Sequence, residues 1–344
     1  MKTLKTLFLS ISVLFIVSNI AQAKIWRVNN NIGINANFTS AQAAHDAALT
    51  LPGDTLMFEG SNASYGNLRL SKRLTVVGPG YFLGSNPETQ AFLVDVKFST
   101  VVFAAGSQNS SFQGININGS QVFIGTNNIT FSRNYNIGQL FVGYDNTIGG
   151  ISISNCLISQ NFLIKILITS QNPINTGILI SNNFIGTLFF ESNTSALILN
   201  NVLVNGANSI GASNTLFANN IQTNPTATFI AGTSNNTYNN NISANTLFTP
   251  SGSNIGANNQ TNVNMTNVFT VPADFAVETS FQLKSPGLGI GTAQNGGDCG
   301  IFGGTNPYVL SGMPNVPSVY FYNVPATGSN TNPLNISIKA KSRN

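Results

Sequence analysis

Between residues 131 and 245, apolar strand-like runs are repeatedly interrupted by a pair of asparagines or a close variant of one. No other feature restricts the fold of this chain so strongly. The runs read FSRNYNIGQLFV from 131, ISNCLISQNFLI from 153, ILISNNFIGTLFF from 178, LILNNVLVNG from 197, LFANNIQTN from 216 and TYNNNISAN from 237. Asparagine is disfavoured inside strands, so its recurrence there calls for a physical reason. Aligned on the pattern apolar–x–N–N–apolar, the third position holds Arg133, Asn155, Asn182, Asn200, Asn219 and Asn240. The fourth holds Asn134, Cys156, Asn183, Asn201, Asn220 and Asn241. A repeat of about 21 residues that tolerates insertions is the mark of a solenoid.

Each unit carries two or three short apolar stretches with no helical period, and the leucine framework of a leucine-rich repeat is missing. The expected fold is all-β: a single-stranded, right-handed parallel β-helix whose coils stack about 4.8 Å apart. One corner of each coil must be tight, and asparagine tolerates the left-handed conformation better than other non-glycine residues. Stacked asparagines also hydrogen-bond along a column. Asn134, Asn183, Asn201, Asn220 and Asn241 are therefore expected to form a structural corner ladder, with Cys156 as one rung. Ile137, Ile158 and Ile185 are expected to stack beyond the corner, and so are Phe141, Phe162 and Phe189. Residues 37–60 open with an alanine-rich segment that Thr39 or Ser40 would cap. Its helix is expected to cover the first coil, because a solenoid needs capped ends. The glycine-rich stretch 281–314 reads as a closing segment, and the alternating NPLNISIKAKSRN as a last strand covering an edge.

Residues 1–23 read as a secretory signal peptide: Lys2 and Lys5, the apolar core LFLSISVLFIV, and AQA before the cut. The domain reading is then 1–23 leader, 24–312 β-helix with its cap, and 313–344 a tail strand packed on the helix. No later apolar run is long enough to span a bilayer. The chain is 42% hydrophobic and only 7% charged, against about 25% charged in ordinary soluble domains. It should fold, with Asn, Ser and Thr facing water. The formal net charge of +4 drops by two with the leader, and no basic cluster beyond SKR at 71–73 offers the phosphate contacts a nucleic-acid partner requires. Cys156 and Cys299 are expected to be free thiols.

The order ALTLPGDTLMF at 48–58, RLTVVGPG at 73–80 and ISNNFI at 180–185, closed by SPGLGIG and GGDCGIFGG, resembles the right-handed parallel β-helix superfamily of pectate-lyase type. It is similar to secreted β-helix proteins of Bacteroidetes-type bacteria. The resemblance covers nearly the whole mature chain. It implies export to the medium, the cell surface or the periplasm of a Gram-negative bacterium. It implies nothing firm about activity, since such scaffolds host lyases, hydrolases, adhesins and binding proteins. Lyases of this superfamily hold calcium with aspartates and use an Arg or Lys base; its hydrolases group aspartates.

Measured against that requirement, the coils are poor in charge. Between residues 100 and 270 stand only Asp145, Glu191, Arg133 and Lys165. Asp145, Lys165 and Glu191 are the weak catalytic candidates, Lys165 and Glu191 falling one position apart on adjacent coils in the alignment. His45 is the only histidine and lies in the expected helix, so a histidine triad or zinc site is not expected. Asp298 and Cys299 read as part of a turn, and Trp26 as packing on the first coil. No cofactor is expected, with calcium left open. The function expected is an exported, non-catalytic β-helix binding polysaccharide or cell-surface matrix, or acting in adhesion. The alternative is a divergent polysaccharide lyase or glycoside hydrolase. Oligomeric state stays open.

Overall fold

A computed structural model describes residues 23–169, 175–191, 194–205, 207–208, 211–227, 234–246, 250–271, 277–328 and 333–342. Residues 1–22 of the expected leader lie outside that description. Among the described residues the protein is all-β and mostly parallel, a solenoid-like arrangement consistent with a β-helix. Successive strands alternate between two sheets. One has eleven strands, from Ile25–Val28 to Ile255–Ala257; the other has ten and includes Asn67–Leu70, Lys97–Phe103, Asn116–Ile124, Tyr135–Val142, Phe162–Ile168 and Phe184–Phe190. No helix among the described residues is long and apolar enough to cross a membrane.

The strands are short because only their middle residues must face inward. In TFS (130–132), LIS (157–159) and ILIS (178–181) the residues Phe131, Ile158 and Ile180 pair in register and are buried. Phe217 and Tyr238 continue this column as a stacked pair 4.8 Å apart. From the second sheet Val101, Val122, Leu140, Ile166 and Leu188 meet them. The expected stacks are therefore corrected. Ile137 is exposed, Ile158 lies with Phe131 and Ile180, Phe162 pairs with Tyr135 and Phe184, and Leu167 stands between Phe141 and Phe189.

The reason is a slip of register at the asparagines. Asn134, Asn161, Asn183, Asn201, Asn220 and Asn241 form one buried column. Each Oδ1 from Asn161 onward accepts both the backbone N–H and the side-chain N–H of the rung before it, at 2.8–3.2 Å. Asn259 continues the column below Asn241. Each Nδ2 also donates to a backbone carbonyl of a neighbouring coil, for example Asn201 to Ile180. Cys156 is not a rung of this column. Asn155 and Cys156 belong to a different corner, which Asn128, Gly177, Asn214 and Asn235 also build with positive φ. The rung in that coil is Asn161, preceded by Gln160 instead of asparagine.

The left-handed residue is the one before each rung: Arg133, Gln160, Asn182, Asn200, Asn219 and Asn240, all with φ of 55–60°. Their side chains point the other way, to the C-terminal segment. Arg133 Nη1 donates to Met313 O, Gln160 Nε2 to Pro307 O, Asn182 Nδ2 to Ile301 O and Gly303 O, Asn200 Nδ2 to Asp298 O, and Asn240 Nδ2 to Thr292 O. Asn219 Oδ1 accepts from Gln294 N. The contacts run in opposite order along the two segments, so residues 292–313 return along the flank of the coils as a strap. Beneath it Phe162, Phe184, Val202, Ile221 and Ile242 pack against Phe281, Cys299, Ile301 and Tyr308. The paired amides thus have separate tasks: the first turns the chain and grips the strap, and the second joins the coils. The stretch expected to close the end of the solenoid binds its side instead.

Helix α1 (Ala41–Asp46) is capped by Ser40 and buries Ala41, Ala44 and His45. It lies beside Asn67–Leu70, the terminal strand of the second sheet, and supplies that edge with partners. Gln42 Oε1 accepts from Arg69 N at 2.9 Å, and His45 Nε2 accepts from Ser71 N at 3.0 Å. That acceptor role assigns the ring proton to Nδ1, 2.6 Å from Asp46 Oδ1.

Candidate functional site

Strand alternation decides what the second sheet shows to solvent. Two side-chain columns run across its outer face, each gaining one residue per strand. One column is polar: Asn67, Thr100, Gln121, Gln139, Lys165 and Thr187. The other begins with Arg69 and continues as Val102, Phe123, Phe141, Leu167 and Phe189. Strand spacing puts neighbours in a column about 4.8 Å apart, and two residues of strand rise separate the columns by about 7 Å. Phe123 and Phe141 stack at 5.0 Å, with Tyr144 against both.

A short hairpin, Tyr144–Asp145 paired with Gly149–Gly150, folds over the start of these columns. With Gln42 it encloses a groove of about 300 Å³ lined by Arg69, Thr100, Gln121, Asn146 and Thr147. Arg69 spans it: Nη2 lies 2.8 Å from Asp145 Oδ2 and 3.1 Å from Thr147 Oγ1, and Nη1 is 3.0 Å from Asn146 Oδ1. Asp145 is buried and also accepts from Thr147 N and Thr147 Oγ1. Burial opposes its charge, but the hydrogen bonds from Thr147 and Arg69 together outweigh burial and hold the carboxyl below its ordinary value. A depressed carboxyl stabilises the fold above its unfolded value and loses that contribution as pH falls through its folded value. Acidification below about pH 4 is therefore expected to release the hairpin. Hydrogen exchange at the amides of Asn146–Gly149 checks this: protection that stays constant down to pH 2 rejects it.

Compared with family models and with curated proteins, the chain matches none.

The structure separates the three weak catalytic candidates. Lys165 pairs in register with Thr187, so Glu191 stands four residues farther along, about 13 Å by strand rise. Their expected adjacency came from aligning Cys156 with the rung that Asn161 fills. Asp145 belongs to Arg69, and Lys165 to the polar column. Among the described residues no group of three or more His, Cys, Asp or Glu converges on a metal position. Trp26 is buried, donating to Asp54 Oδ2 at 2.8 Å. Asp298 Oδ1 accepts from Gly291 N across the loop 291–298. Cys156 and Cys299 are free and buried, and burial pushes both thiols up to about 11.

Sequence reasoning missed two elements. The polar column has no signature, because its members are Thr, Gln, Asn and Lys at unequal spacing. The other is Glu278, a single carboxylate that belongs to no motif or repeat in the sequence. It is buried and accepts from Tyr308 Oη, Ser311 N and Asn86 Nδ2, while Tyr81 and Tyr308 share a hydrogen bond of 2.6 Å. Burial raises its carboxyl above the ordinary value despite these donors.

Proposed function

We propose that the protein is an exported right-handed parallel β-helix of the pectate-lyase-like superfamily that binds extended polysaccharide at the cell surface or outside it, without turning it over. The observation that carries this reading is the pair of parallel columns on the second sheet. An extended glycan repeats its sugars at nearly the spacing of the strands. Past the hairpin, which packs on the buried Val102 and Phe123, a chain laid across the strands would meet one hydrogen-bonding side chain and one apolar side chain per sugar. Amides and hydroxyls match sugar hydroxyls, and Phe141, Leu167 and Phe189 match the C–H faces. The ion pair of Arg69 closes one end of the run. Asp145 is committed to that pair and held ionised at neutral pH, which suits it to fixing the groove wall and not to donating a proton.

Affinity measurements on soluble and insoluble polysaccharides test this. Gln139→Ala and Phe141→Ala are each expected to weaken binding about tenfold, from the loss of one hydrogen-bonding and one apolar contact. Undiminished binding by both variants removes the paired columns from the reading. Release of unsaturated or reducing ends, abolished by Asp145→Asn, would replace it with the lyase or hydrolase alternative.

A further inference from the structure

The last described segment holds a feature that polysaccharide binding does not use. Ser318–Asn323 and Ser337–Lys341 form an antiparallel hairpin standing beside the coils. It is anchored through Ala91 N to Val319 O, Ser318 Oγ to Thr89 O and Lys341 Nζ to Glu88 Oε2. Directly opposed residues share a face in such a pair. Tyr322 opposes Ile338, and Val319 opposes Ala340; one step beyond, the same register sets Val324 opposite Ile336. Leu334, Ile336, Ile338 and Ala340 alternate with Asn335, Ser337, Lys339 and Lys341. One face is therefore uncharged, apolar but for the Tyr322 hydroxyl, and the other carries the lysines, with Phe321 opposite Lys339. Both faces are open to solvent, and on the uncharged one Val319, Tyr322, Val324, Leu334, Ile336 and Ile338 are 43–63% exposed.

A two-stranded hairpin without a second layer is marginal in water, and exposed apolar faces mark contact surfaces. Charge placement selects the occupant. Lys339 and Lys341 project from the opposite face, so an anionic lipid surface against the apolar side would find no cation facing it. Pairing along the edge of Ser337–Lys341 would set the lysines of two copies side by side. Packing face to face does neither. It buries an uncharged surface on both copies and leaves every lysine in water. We propose that the C-terminal hairpin is a dimerisation element whose apolar face packs on the same face of a second copy of this chain about a two-fold axis.

Six side chains per copy make a small interface, so the dimer should assemble in the micromolar range. Sedimentation velocity of the full chain from about 1 to 100 µM is expected to show a monomer–dimer equilibrium. Ile338→Asp should weaken it about a hundredfold, from two buried isoleucines replaced by two carboxylates, while Lys339→Ser leaves it unchanged. A second readout does not depend on destabilising the hairpin. Ile336→Cys and Ile338→Cys should give disulfide-linked dimers on oxidation, since the native thiols are buried. A chain that stays monomeric throughout overturns the proposal. So does a dimer indifferent to Ile338→Asp with no cross-link at either position, or a hairpin that instead binds vesicles of anionic phospholipid.

Discussion

Asn201→Ala lowers the free energy of unfolding by about 3–5 kcal/mol, because it takes partners from several buried polar groups at once. The Asn201 amide has no exposed surface. Its Oδ1 accepts from Asn183 N at 2.9 Å and Asn183 Nδ2 at 3.0 Å, and its own Nδ2 donates to Ile180 O, Leu199 O and Asn220 Oδ1. Alanine leaves Asn183 N without an acceptor where water cannot reach it, at a cost of about 1–3 kcal/mol; Asn183 Nδ2 keeps Ile158 O and Ser181 O but loses its link to the next rung, and Ile180 O and Leu199 O each lose a donor. Asn201→Asp is expected to be at least as damaging at neutral pH. It keeps the acceptor, but it sets a carboxylate against the carbonyl of Ile180 and the Oδ1 of Asn220. Asn259→Ala, at a partly exposed rung, costs about 1 kcal/mol. Denaturant unfolding of the three variants decides the matter: equal midpoints for Asn201→Ala and Asn259→Ala would show that the column adds nothing cooperative.

Glu278→Ala is expected to cost about 3 kcal/mol, because Tyr308 Oη, Ser311 N and Asn86 Nδ2 lose their common acceptor in a buried site. Glu278→Gln keeps most of these bonds and should sit within about 1 kcal/mol of the parent at pH 7. The two differ in what they say about pH. Burial raises the carboxyl of Glu278, so the folded state holds its proton more tightly than the unfolded chain. That contribution is fully present below the unfolded value and is lost as pH rises through the folded one. Between the ordinary glutamate range, near 4.5, and neutrality, the parent should therefore lose stability through this group, and Glu278→Gln should flatten that slope. An unchanged slope in Glu278→Gln would assign the pH dependence elsewhere. Asp145 titrates with the opposite sign, and its effect lies at lower pH.

The asparagine pairs made the stacked architecture legible, since few other reasons place amides in strand-like runs at a solenoid period. What they did not reveal was register. Both corners of a coil use a left-handed residue followed by an inward one, so Asn155–Cys156 mimics the true pair, and Gln160–Asn161 hides it by starting with glutamine. One misplaced coil then carried Phe162 and Lys165 to false neighbours and created the apparent Lys165–Glu191 patch. The strap was not legible either. The coils grip its backbone carbonyls, which every residue possesses. The groove arises from strands separated by insertions of unequal length, and Arg69 meets Asp145 across 76 positions.

The strap changes how the molecule can come apart and how it can be rebuilt. Repeat proteins usually fray one unit at a time, because each unit touches only its neighbours. Here Arg133 reaches Met313 and Asn240 reaches Thr292, so the tail fastens the early and late layers together like the spine of a bound book. Loosening any layer disturbs the binding of the others, and the strapped layers should melt as one. Length is fixed by the same device. A layer added or removed alone would throw every later amide out of step with its carbonyl, so growth by duplication must lengthen layers and spine together.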